Sequence, residues 1–390
     1  MLRHNLHVNP CTSVSLSRVL LSLTIGLAGI GIGGTALAQQ PHGWVSNGHI
    51  SAYTLAPGEF ELSGTLMRVN DTLDVLNLRE DMLAGTSRLS ADSGDLDGTR
   101  GELRVGVWTG LELFYRRQTQ DMTLKLASDS RVDVSGLDEK LQTTGDSYGA
   151  RWVFFQSATR NPDTPWTSAA LELTATNNKS DDFGGMLESI TFSPTVNVRL
   201  DPPQRFDMNR LEDDGWNAKI IYSHGLGDSL ALSYWAGYGK LDSSSGTSTE
   251  IEQAAISNAF LQTFDISESL IYAGINLNWQ GIQRLPIQIG YEYINIRDRQ
   301  QQIVSSNSTL VPSFLRGSNL SNSATNNHTL YGTASWWLTP HLYAGISGKV
   351  FKNQFVGILP HYNNPLSARF SETPYGYLEF SLGVKFNPGL

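Results

Sequence analysis

The segment Tyr375-Gly376-Tyr377-Leu378-Glu379-Phe380-Ser381-Leu382-Gly383-Val384-Lys385-Phe386 carries an uninterrupted period of two. Leu378, Phe380, Leu382, Val384 and Phe386 fall on one face and Tyr377, Glu379, Ser381, Gly383 and Lys385 on the other. This predicts a β-strand with one apolar and one polar side. The period alone fits a water-soluble sandwich as well as a membrane wall, since both cover one face of each strand. The rest of the chain decides between them.

Residues 1–38 read as an export signal. Arg3 and Arg18 form a basic start, Val19 to Ile32 an apolar stretch diluted by Gly26, Gly29 and Gly31, and Ala36-Leu37-Ala38 a small-x-small cleavage site before Gln39. That stretch is short of the roughly 20 apolar residues a membrane helix needs. The single cysteine, Cys11, leaves with the signal, so the mature chain is expected to hold no disulfide, cysteine metal site or cofactor. From Gln39 onward no apolar run approaches spanning length, which excludes a helical membrane protein and leaves a closed barrel as the membrane option. No nucleic-acid partner is expected of a chain with 28 basic and 37 acidic residues and a net charge of −9.

The clearest hairpin is Glu102–Val107, Trp108-Thr109-Gly110, Leu111–Arg116, in which Gly110 takes the left-handed position of a three-residue loop. Val107 should face Leu111, Val105 Leu113 and Leu103 Tyr115. Short connections also follow at Ala158–Pro165, Gly225–Asp228, Gln280–Leu285 and Leu338–His341. Between them lie long polar stretches at 71–99, 127–146, 178–214, 241–268, 298–327 and 353–374. Stretch 187–199 looks strand-like and is placed within the third long loop, or as half of an extra hairpin. Trp108, Trp166, Trp216, Trp279, Trp336 and Trp337 at strand ends suit interfacial girdles.

An export signal, alternating strands joined by short and long connections in turn, and a final strand ending in an aromatic together resemble Gram-negative outer-membrane β-barrels. The resemblance rests on architecture over nearly the whole mature chain, not on the motif of one family. It implies an all-β fold: a transmembrane antiparallel up-and-down β-barrel of about 12 strands, 14 if the extra hairpin joins the wall, with short periplasmic turns and long external loops. Residues 39–58 are then a periplasmic N-terminal lead-in and 59–390 the barrel. The apolar faces meet outer-membrane lipid and lipopolysaccharide, the polar faces line the lumen, and the barrel-assembly machinery inserts the chain. Asn387-Pro388-Gly389-Leu390 depart from barrels that stop at the aromatic.

The inward parity collects charges of both signs: Glu61, Glu102, Arg104, Glu112, Arg116, Arg151, Glu172, Lys219, Glu292, Lys349, Glu379 and Lys385. Hairpin register sets Glu102 opposite Arg116 and Arg151 opposite Glu172, while Glu61 and Lys385 sit near one end of the closing seam. One reading is a structural ladder that neutralises charge in a narrow barrel. The other is a solute path with the signs separated across it.

The first four long loops hold roughly 25 acidic against roughly 8 basic residues, a solvated face or a seat for divalent cations under anionic lipid. Asp92-Ser93-Gly94-Asp95-Leu96-Asp97-Gly98 suggests a calcium loop, but its twelfth position is Arg104 where an EF-hand needs a bidentate Glu, so no metal site is assigned. Catalysis would need a base beside a nucleophile. His328 near Ser321 or Ser323, and His361, sit in no hydrolase motif, so no catalytic residue is assigned either. The expected function is a narrow channel for small polar solutes. The alternatives are a closed structural or surface-interaction barrel acting through its acidic external loops and, as a minor one, a lipid-modifying enzyme. Mass spectrometry of the membrane-purified protein should find Gln39, or its cyclised form, at the N-terminus, and an intact Met1 would overturn the export reading.

Overall fold

A computed structural model describes residues 50–69, 91–126, 132–136, 140–157, 166–193, 195–227, 229–249, 264–303, 326–352 and 374–386. The export signal with its cleavage site, residues 39–49, Ser321, Ser323, His361 and residues 387–390 lie outside them.

The described residues form fourteen strands: β1 (Phe60–Val69), β2 (Ala91–Trp108), β3 (Leu111–Leu126), β4 (Val132–Ser135), β5 (Lys140–Gln156), β6 (Thr167–Ser180), β7 (Phe183–Ser193), β8 (Val196–Gly225), β9 (Leu230–Thr249), β10 (Phe264–Trp279), β11 (Ile287–Ile303), β12 (Asn326–Trp337), β13 (Leu342–Lys352) and β14 (Pro374–Phe386). Twelve close into an antiparallel ring in the order β1, β2, β3, β5, β6, β8, β9, β10, β11, β12, β13, β14 and back to β1. β7 pairs with the first half of β8, and β4 pairs with β7, beyond the rim of the ring. The extra hairpin suggested by 187–199 therefore exists as β7 and the start of β8, yet it extends the wall outward and leaves the ring at twelve strands. Closure satisfies every wall strand on both sides, the condition for a sheet to stand in hydrocarbon.

Several strands run farther into the long-loop side than their apolar alternation predicts: β2 begins at Ala91, β5 at Lys140, and β9 continues to Thr249. The Asp92–Gly98 segment lies inside β2 and forms no loop. Along β6 and β8, Asn177 donates to Asp214, Asn178 to Asp213, and Lys179 pairs with Glu212 at 3.8 Å, so acids assigned to the third loop belong to a paired wall.

Exposure identifies the solvent of each face. Phe60, Leu62 and Leu66 on β1, Ile275 and Leu277 on β10, and Phe380, Leu382 and Phe386 on β14 are exposed on the outside. Glu61, Ser63, Thr65, Asn276 and Glu379, interleaved with them, are buried on the inside. Apolar residues outward and polar residues inward is the reverse of a sandwich and the arrangement of a membrane barrel.

Aromatics border the apolar band. At the short-turn end Phe60 stacks on Phe386 with centroids 5.0 Å apart, and Trp108 and Trp336 point outward. At the other border Tyr115 meets Tyr148 at 5.2 Å and Trp216 meets Tyr238 at 5.9 Å. Trp337 does not join the girdle: it is 1% exposed and packs inside against Tyr343 at 4.9 Å, because it has the opposite parity to Trp336. Trp166 also turns away, onto Tyr53 at 5.0 Å.

Four inward aromatics lie flat over glycines directly opposite them in register: Phe114 over Gly149, Trp235 over Gly274, Tyr331 over Gly290 and Tyr343 over Gly383. A Cβ on Gly274 would sit 2.1 Å from the Trp235 ring, so the missing side chain is what lets the ring lie against the wall. In the first hairpin Gly110 has φ +76° as its turn requires, and Val105 faces Leu113 and Leu103 faces Tyr115. A bulge between Gly106 and Trp108 sets Trp108, in place of Val107, opposite Leu111.

The seam is in register from Phe60 opposite Phe386 through Leu62 opposite Val384 to Leu66 opposite Phe380. Double cysteine variants at these three pairs should include at least one that oxidises readily in the refolded, heat-modifiable protein, because paired strands bring Cβ atoms near the bridging distance of about 4 Å. A control joining positions 66 and 386 should not crosslink.

Candidate functional site in the barrel lumen

All twelve charges of the inward parity lie on wall strands, and cross-strand register orders most of them into one girdle. Lys385 on β14 faces Glu61 on β1, and Glu61 faces Arg104 on β2. Glu112 on β3 faces Arg151 on β5, Arg151 faces Glu172 on β6, and Glu172 faces Lys219 on β8. Arg104 joins the two runs: its Nε and Nη2 donate to Glu112 at 3.0 and 2.9 Å and its Nη1 to Glu61 at 3.1 Å. Sign alternates across seven consecutive strands, so every lateral neighbour attracts.

The remaining charges form a second tier. Arg116 donates to Glu102 at 2.8 Å, as the hairpin register predicts. Arg100 grips Glu379 with both Nη atoms at 2.8 and 3.1 Å, and Ser347 also donates to Glu379. Lys349 on β13 lies directly across from Tyr377 of β14, two positions from Glu379, and Glu292 occupies the inner face of β11. The signs are thus interleaved strand by strand and not separated across the lumen, which removes the transverse field expected of a sign-separated path. Glu61 and Lys385 share a register position, but Glu61 accepts from Arg104 and from Tyr343 at 2.5 Å, whereas Lys385 pairs with Glu59 at 3.2 Å.

At the short-turn end the opposite wall presents amides and hydroxyls in place of charges. Gln288 donates to Asn278, Asn278 donates to Asn276, and Ser223 and Ser233 share a hydrogen bond of 2.8 Å. Amides and hydroxyls there satisfy one another without net charge.

Residues 50–56, part of the lead-in expected in the periplasm, run inside the ring at the short-turn end. Ile50 donates its N–H to Gln288 of β11, and its carbonyl accepts from Asn276 of β10 at 2.9 Å. Ala52 donates to Ser223 of β8 at 2.8 Å and accepts from Ser168 of β6 at 2.7 Å. The Tyr53 carbonyl accepts from Arg151 of β5, and the Leu55 N–H donates to Glu112 of β3 at 2.9 Å. β11 and β3 stand six places apart in a ring of twelve, on opposite sides. Five extended residues reach about 17 Å at roughly 3.3–3.6 Å each, so the segment is a strap across the mouth. Gly58 and Glu59 then bond to Gly106 of β2 and hand the chain to β1. A Cβ on Gly106 would lie 2.0 Å from the Ala56 carbonyl oxygen, so the strap passes closer to the wall than any side chain permits.

Sequence reasoning missed the strap, Arg100 and Tyr343. Its signal was an uncharged run of small, hydroxyl and apolar residues, Ile50 to Gly58, where an aqueous lead-in would carry charge. Arg100 shares its parity with Glu102 and Arg104 but falls between the long stretch 71–99 and the strand read from Glu102, whereas the strand in fact begins at Ala91. His328, the candidate base, points outward and hydrogen-bonds to Tyr291 through Nδ1 at 2.7 Å. Its suggested partners Ser321 and Ser323 fall outside the described residues.

Arg104 is 6% exposed and is the cation between two buried carboxylates. Arg104→Met should destabilise the barrel in lipid by about 3–5 kcal/mol, the cost of leaving a buried charge without its partner. Urea unfolding in vesicles measures this, and Arg117→Met, outside the girdle and exposed, should leave the unfolding midpoint close to that of the wild type.

No protein-family model matches the sequence, and no curated protein is significantly similar to it. Among solved structures, the chain is similar to the translocator domain of the autotransporter NalP from Neisseria meningitidis, with 7% identity over 95% of this chain and 94% of that one and a TM-score of 0.43. The toluene transporter TbuX of Ralstonia pickettii has 9% identity over 85% of this chain and 90% of that one, with a TM-score of 0.41. A FadL homologue of Pseudomonas aeruginosa has 9% identity over 84% and 90%, with a TM-score of 0.38.

Proposed function

We propose that the protein is an outer-membrane channel for small polar solutes whose periplasmic mouth is closed at rest by its own strap. The carrying observation is the course of Ile50–Ala56 from β11 to its diametric opposite β3 through a polar lumen. The apolar outer band supports a membrane, and the export signal and closed wall support the outer one. Contact with lipopolysaccharide and insertion by the barrel-assembly machinery belong to the same reading.

Support for transit comes from what blocks the path. The wall is a continuous backbone ladder, whereas the strap is a tethered segment held by separate hydrogen bonds, each contributing about 0.5–1.5 kcal/mol net. Moving the strap costs less than opening the wall. The proposed role is non-catalytic, since His328 is engaged with Tyr291 on the outer face.

A second reading is a closed barrel acting through its acidic external loops. The water-excluded cluster of Glu61, Arg104 and Glu112, with Tyr343 and Trp337 packed beside it, favours it. Planar-bilayer recording separates the two. Wild-type protein should be mostly silent, and the full-length variant Ala52→Pro/Leu55→Pro, which removes the N–H groups bound by Ser223 and Glu112, should show discrete steps at least several-fold more often. A folded, heat-modifiable variant as silent as the wild type would overturn the channel reading.

A further inference from the structure

The wall holds the strap by its main chain. Glu112, Arg151, Ser168, Ser223, Asn276 and Gln288 engage the N–H and carbonyl of Ile50, the N–H and carbonyl of Ala52, the Tyr53 carbonyl and the Leu55 N–H. Two of the strap's own polar groups, Ser51 Oγ and Tyr53 OH, are buried without a protein hydrogen-bond partner among the described residues. The strap adds no strand to a sheet edge: side chains of a complete wall read its amides from the lumen.

One side chain is selected by shape. Ala52 is fully buried among Val153, Ala170, Ile221, Trp235 and Tyr331, with Ile50 packed against the same cluster. Ala52 keeps no exposed surface inside this cluster, so a side chain larger than its methyl would have to move one of these neighbours.

We infer that the seat of the strap is a binding site for short extended peptides with a small residue at the third position, occupied at rest by the protein's own N-terminal segment as a built-in ligand. The site recognises an extended chain of secondary amides through six polar side chains, and its sequence demand is confined to the methyl pocket. This deepens the channel reading, on which it rests for direction of passage only: a transiting peptide would displace the strap by taking over its hydrogen bonds.

The test is a titration read by tryptophan fluorescence, since Trp166 lies 5.0 Å from the Tyr53 ring and Trp235 lines the methyl pocket. Full-length Ala52→Pro/Leu55→Pro in detergent is titrated with the peptide Ile-Ser-Ala-Tyr-Thr-Leu-Ala. It is also titrated with a peptide of different side chains that keeps the third alanine, the native peptide N-methylated at the third and sixth residues, and one with tryptophan third. The first two should bind with similar affinity, and at least tenfold tighter to the variant than to the wild type, whose seat is filled. The last two should bind at least tenfold more weakly. Ala52→Asp, which expels the strap by placing a charge in an apolar pocket, repeats the comparison should the double proline variant not fold. Absence of binding to a folded, strap-released protein, equal binding of the N-methylated peptide, or binding of the native sequence alone would each overturn the inference. Peptide binding without conductance would overturn the channel reading and leave this one standing.

Discussion

Every wall strand has its backbone groups bonded on both sides, and that constraint organises the rest of the molecule. In hydrocarbon an open sheet edge leaves N–H and C=O groups without partners at several kcal/mol each, so the ring must close, and β1 and β14 close it. Closure fixes parity, and parity fixes which side chains share the interior. Once Glu61 faces inward, Arg104 and Lys385 must lie beside it, and the interior becomes a place where charge has to be neutralised laterally.

The girdle and the strap are two answers to that crowding. On one side of the lumen, charge of alternating sign is tied strand to strand. On the other, amides and hydroxyls form a neutral mesh. The strap draws on both, with Glu112 and Arg151 at one end and Asn276 and Gln288 at the other. Glu112 holds Arg104 and the Leu55 amide at once, so the charge girdle of the wall and the strap share a carboxylate.

The ring was legible where alternation of apolar and polar residues was strong. The closing strand, the hairpin through Gly110, and the pairings of Arg116 with Glu102 and of Arg151 with Glu172 follow from period and turn chemistry alone. The outer reaches of the strands were not legible. Segments such as Asp242-Ser243-Ser244-Ser245 of β9 rise past the apolar band, where neither face needs hydrocarbon-compatible side chains, and the period that marks a strand vanishes while the ladder continues. The same loss hid Arg100. The strap was hard to read for another reason: most of its backbone hydrogen bonds go to side chains more than fifty residues away in sequence, and beyond its lack of charge a run such as Ile50-Ser51-Ala52 has no local preference that would announce it.

Chain order gives the strap one more property. It is the segment that leads into β1, so it joins one of the two strands whose pairing completes the cylinder. The segment that crosses the lumen is therefore tethered at the seam where the sheet closes, and a change in the β1–β14 pairing would move the strap's anchor with it.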